Sequence, residues 1–144
     1  MASWRDSTSQ LAQDDLDALL NAVLPFAEQT ISRYGEMYPF GAAMTADGEL
    51  KMLAADSGSG EHPASQDVLD ALYAGARESR EEHRAVAFAA DVKANGSDAV
   101  RVELEHREGT ALVLVVPYTR SRFKKTVTLG RMAGGVGERR VWAD

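Results

Sequence analysis

Three histidines, His62, His83 and His106, carry the side chains of this 144-residue chain that ordinarily titrate near neutral pH. Nucleophilic catalysis would need one of them beside a serine or threonine hydroxyl, with an acid to orient the ring. The spacing does not supply that arrangement. His62 falls in a loop, His83 at a helix end and His106 at a hairpin. No serine occupies a G-x-S-x-G elbow, and Gly58-Ser59-Gly60 is too short for that pattern. Cysteine is absent, which excludes disulfides, thiolate chemistry and cysteine-zinc sites. His62 with Glu61, and His106 with Glu105 and Glu108, are local clusters that lack the i, i+4 histidine spacing of a helical zinc site. The Asp56–Pro63 loop offers glycines and hydroxyls that could cradle an anion, yet it lacks the Gly-Lys-Ser/Thr of a phosphate loop. No catalytic residue, metal or cofactor is therefore assigned, and the reading leans away from an enzyme.

The strongest polar feature is basic. Arg120, Arg122, Lys124 and Lys125 surround Phe123 just after Tyr118. In an extended segment Arg120, Arg122 and Lys124 share one side, and Phe123 and Lys125 the other. Two readings follow: cations that protect an edge strand from pairing with another chain, or a surface for an anionic protein, nucleic acid or phosphate. The net charge is −6 and unevenly spread. Residues 1–72 hold three basic side chains against twelve acidic ones, residues 73–144 thirteen against ten. The acidic total argues against general nucleic-acid binding, and the local excess leaves a specific anionic partner open.

These residues must be held by a sheet. Val86–Lys93 is apolar and Asn95-Gly96 follows, a pair that tolerates the positive φ of a type I′ hairpin turn. Val100, Val102 and Leu104 then alternate with Arg101, Glu103 and Glu105, which predicts a strand with one solvated face and cross-strand ion pairs on it. After His106-Arg107-Glu108-Gly109, the Ala111–Val116 run is apolar on both sides and belongs inside the sheet, one face covered and the other at least lightly shielded. Phe123, Val127 and Leu129 share one parity of a possible fourth strand. Upstream, Leu16, Leu19, Leu20, Val23, Ala27, Ile31 and Tyr34 recur at helical spacing, with Ser9 or Asp14 as cap, Gly35 as stop and Pro25 expected to kink or split the helix. Asp47-Gly48 joins two short apolar runs as another hairpin. Ser65 is expected to cap a second helix with Val68, Leu69, Leu72, Tyr73 and Ala76 inward, its tail Glu78–Arg84 forming a solvated charged face. Glycines 134, 135 and 137 mark a mobile turn, followed by an edge strand or a docked tail anchored by Trp142.

The expected fold is α+β: one domain over 1–144, with an antiparallel sheet of five to six strands and two helices in the order α-ββ-α-βββ(β), and with 1–9 and 130–144 loose or peripheral. This order resembles that of profilin-like domains, including the roadblock/light-chain type, and more loosely sensor folds of the PAS kind. Tyr38-Pro39-Phe40-Gly41, Ala46-Asp47-Gly48-Glu49-Leu50, Val102–Arg107 and Val116-Pro117-Tyr118 together resemble a group of small uncharacterised bacterial proteins, a resemblance that implies a bacterial cytoplasmic protein and no activity. No run approaches a membrane span and the N-terminus lacks the plan of a secretory signal, so the expected location is the cytoplasm. The leading functional expectation is a non-catalytic binding or assembly module, acting on a protein partner or by self-association as a homodimer, through 118–125. One alternative is a small-molecule sensor or enzyme with a pocket between sheet and first helix, lined by Met37, Met44 and Met52 beside Pro25. Another is an immunity or antitoxin-like protein.

Overall fold

The computed structural model describes residues 3–55 and 64–143. The expectations for the Asp56–Pro63 loop, including His62 and Glu61, lie outside the described residues. A short 3-10 turn at Trp4–Ser7 leads into helix α1 (Gln10–Tyr34). Ser9 caps α1 by accepting the Ala12 amide, and Gly35 ends it at φ 77°, a left-handed conformation suited to glycine. Pro25 does not split the helix. Val23, Ala27 and Ile31, on either side of the proline, are fully buried against the sheet, and Asn21, whose carbonyl loses its partner, faces solvent.

The sheet is built from β1 (Phe40–Thr45), β2 (Leu50–Leu53), β3 (His83–Ala94), β4 (Ser97–His106), β5 (Ala111–Arg120), β6 (Val127–Leu129) and β7 (Ala133–Val136). All pairings are antiparallel, in the order β2-β1-β3-β4-β5. The far side of β5 is shared: β7 runs along Leu112–Val115 and β6 along Tyr118–Arg120. Asn95 and Gly96 turn β3 into β4 at φ 53° and 78°, as a type I′ turn requires. The α+β class and the order of elements are as the periodicities predict.

The two faces divide by strand parity. Ala85, Ala87 and Ala89 of β3 and Val100, Val102 and Leu104 of β4 pack under α1 with Leu16, Leu19, Val23 and Ile31. Alanine on β3 lets the helix approach closely. Val86, Phe88 and Ala90 face the other way, beneath α2 (Ser65–Glu78) and its Val68, Leu69, Leu72 and Ala76. The register slips between Met44 and Thr45, and Arg84 turns toward the α1 side next to Ala85.

Four local expectations are corrected. The cap of α2 is Ala64, without a side-chain bond, and Ser65 is its first helical residue. Glu78–Arg84 is not one solvated face: the helix ends, His83 is buried, and Arg80 donates to the carbonyls of Val141 and Ala143. The fourth strand is confined to β6, and Phe123 is left in the turn before it, 98% exposed. The odd face of β4 is covered, with Glu103 and Glu105 buried. That cover is the segment after β7, where Val141 is fully buried and Trp142 packs beside it.

Candidate functional site

The basic segment does not behave as a unit. Arg120 closes β5 and points back at the end of α1, where its Nε donates to the Ile31 carbonyl (3.1 Å) and its Nη2 to that of Ser32 (3.2 Å). The Ile31 carbonyl also accepts the Gly35 amide at 2.8 Å, and that of Ser32 is one the helix end leaves free. Arg120 thus reinforces the cap at one and supplies a donor to the other; a guanidinium there also suits the negative end of the helix dipole. Ser32 completes the junction, its Oγ accepting the Val127 amide. Arg120 is therefore a fixed part of the scaffold.

Beyond it the chain leaves the ladder. Ser121 organises the reversal by accepting the Lys124 amide on its side chain and the Lys125 amide on its carbonyl, and Lys125 adopts φ 51°. Arg122, Phe123, Lys124 and Lys125 thus occupy a tip, all exposed. The expected strand alternation of Arg120, Arg122 and Lys124 is absent because no extended backbone spans them. Tyr118–Arg120 is paired with β6, so the cations do not blunt an open edge. Among the described residues no ion pair involves Arg122, Lys124 or Lys125.

Two depressions lie along β5, β6 and α1, and only the second is lined by a tip residue, Lys125. One, of about 520 Å³, is lined by Lys93, Asp98, Tyr118, Arg120 and Thr128. The other, of about 620 Å³, lies beside α1 at Pro25, Glu28, Ser32, Arg33 and Lys125. At the first, the Tyr118 hydroxyl donates to Asp91 Oδ1 at 2.7 Å. Burial pushes the Asp91 carboxyl above its usual range, against the pull of that hydrogen bond, and pushes the Tyr118 phenol up as well.

Both described histidines are sealed. His106 is fully buried; its Nδ1 accepts the Glu108 amide at 3.2 Å, so Nε2 carries the proton given to Asp15 Oδ2 at 2.9 Å. Asp15 also receives a bidentate Arg84, both contacts at 2.9 Å. This cluster ties the first turns of α1 to β3 and β4. His83 is buried with neither ring nitrogen hydrogen-bonded. Burial is the chief cause that lowers its pKa, with Lys51 next, and Glu82 and the nearby Ser79 backbone opposing. Neither ring meets a reactive hydroxyl.

The second polar cluster joins β4 to the C-terminal segment. Glu105 Oε1 accepts the amides of Arg140 (2.7 Å) and Val141 (2.9 Å), and its Oε2 that of Trp142 (2.9 Å). Glu103 Oε1 receives Arg140 Nε at 2.9 Å and Arg101 at 3.0 Å, while its Oε2 accepts the Tyr73 hydroxyl. The Arg140 guanidinium lies over the Tyr73 ring, 4.5 Å from its centroid. The Arg101–Glu103 pair runs along one strand rather than across two, so the cross-strand ion pairs expected on this face are replaced by a clamp on the tail.

The methionines of the alternative pocket are separated: Met37 and Met44 are closed in the core, and Met52 stands half-exposed on β2. Among the described residues, no three His, Asp or Glu side chains gather as a metal site, and no helix is long and apolar enough to cross a membrane. No protein-family model matches the chain, and no curated protein or solved structure shows detectable similarity.

Proposed function

We propose that this chain is a non-catalytic binding module that presents the β5–β6 tip, Arg122, Phe123, Lys124 and Lys125, to an acidic surface on a protein partner. The observation that carries the reading is Phe123, an aromatic ring 98% exposed and flanked by three cations that the fold does not use. An apolar ring held in water on an ordered turn gains free energy only when something covers it, and partly exposed aromatic and arginine side chains dominate many interfaces. The surrounding cations select an anionic cover and speed its approach. The sealed histidines favour binding over catalysis. Arg120 belongs to the support of this tip and not to its contact surface.

The reading is tested by placing a photo-reactive benzoylphenylalanine at position 123 and irradiating intact cells that express the chain. A discrete protein adduct is expected, lost when Arg122, Lys124 and Lys125 are all changed to glutamate and weakened by added salt in extract. A cross-link to nucleic acid or lipid, or an adduct indifferent to the charge reversal, would overturn it.

A further inference from the structure

A different surface specifies its occupant more closely. Among the described residues, strand β2 is the open margin of the sheet, on the side away from β5 and the basic tip. Thr45 N–H donates to the Glu49 carbonyl at 2.8 Å, which marks that pair as hydrogen-bonded. Alternation then turns the backbone groups of Lys51 inward to Ala43 and those of Leu50 and Met52 outward. The same two residues carry apolar side chains 46% and 49% exposed. They share the face of Met44 and Ala42, beyond the reach of α1. Outward backbone groups with apolar side chains call for another strand, and β2 has neither proline nor bulge to deter one.

We propose that β2 pairs with β2 of a second copy of this chain, antiparallel, with Leu50 on the two-fold axis. Glu49 and Lys51 flank Leu50 and point to the opposite face, so this register sets each Glu49 against the Lys51 of the other copy, twice. One step along, Lys51 would face its own copy, a like-charge pair that disfavours that register. Lysine alone on an edge discourages pairing; lysine two residues after glutamate makes the edge complementary to itself. The contact joins the two sheets through the pair of backbone bonds exchanged at Leu50, because Met52 then lies opposite Gly48 in the hairpin turn of the other copy. Its short length places it below the ~1,200–2,000 Å² of tight complexes, so the dimer forms at high concentration.

The chain has no cysteine, which makes single-cysteine variants unambiguous. Leu50→Cys should oxidise to a disulfide-linked dimer, because directly opposed hydrogen-bonded residues have Cα atoms roughly 5.5 Å apart. Met52→Cys should not, since the two copies of residue 52 would be about 13 Å apart along the strands. In sedimentation velocity of the cysteine-free chain, Lys51→Glu should weaken the dimer about tenfold or more, converting two attractive pairs into repulsive ones. The exchange Glu49→Lys with Lys51→Glu should restore it. All these positions are exposed, so the fold survives the changes. A chain that stays monomeric throughout, preferential cross-linking at 52, or failure of the exchanged pair to recover would overturn the proposal.

Discussion

Arg120 and Arg122 are two residues apart and differ in every physical respect. The first donates to two carbonyls at the end of α1 and packs its guanidinium against Gly35. The second stands in water. Arg120→Ala should lower stability by about 1–3 kcal/mol, the loss of charge-assisted bonds that leaves the Ser32 carbonyl unmatched while Ile31 keeps the Gly35 amide. Arg122→Ala, Lys124→Ala and Lys125→Ala should each stay within about 0.5 kcal/mol; chemical denaturation of the four variants makes the comparison. His83 offers a second contrast at this scale. Its ring is buried without partners and its pKa is lowered, so the native state resists a proton that the unfolded chain takes up near 6.5. That contribution is absent well above pH 6.5 and destabilises as the pH falls below it. His83→Leu should therefore be neutral or stabilising at pH 7, and should flatten the fall in thermal midpoint between pH 7 and 5. A variant whose slope matches the parent would show that the ring finds a proton acceptor when charged. None of this was visible in residue types. Basic residues around a phenylalanine announce a patch, but which of them faces a helix end depends on where β5 stops.

Elements were more legible, because their signals are local. The Asn95-Gly96 turn, the stripe along α1 and the caps at Ser9 and Gly35 each follow from a few neighbouring residues. What local pattern misread was cover. Arg101, Glu103 and Glu105 alternate as a solvated face should, and the segment that lies over them comes more than thirty residues later. A hint was present in Arg139-Arg140-Val141-Trp142, basic and apolar side by side after flexible glycines, a composition able to meet both carboxylates and core. At Pro25 the expectation of a kink or a split left two outcomes, and the helix is not split, since packing on both sides outweighed one lost backbone bond. The clamp makes a prediction of its own. Glu105→Ala removes the acceptor of three amides, so hydrogen exchange at residues 140–142 should accelerate by at least tenfold while β3 keeps its protection. Unchanged exchange at those amides would place the hold on the tail in Val141 and Arg80 instead.

At the scale of the molecule the sheet has two unlike margins. Beyond β5 lie β6, β7 and the charged tip; beyond β1, among the described residues, lies the short strand β2. The two proposed contacts lie at opposite margins, which is why the cross-linking and the cysteine experiments report independently. The succession helix, hairpin, helix, meander could be read from periodicity. The sharing of one strand edge by β6 and β7 could not, because both are short and one is half glycine. The clamp on Glu105 also bears on the order in which the chain is made. Translation delivers β4 long before residues 140–142, so the carboxylate must remain hydrated, and the α2 side unfinished, until the ribosome has released the segment that closes it. Until that segment docks, Phe88 and the carboxylates of Glu103 and Glu105 lack the part of their cover that Arg140, Val141 and Trp142 supply.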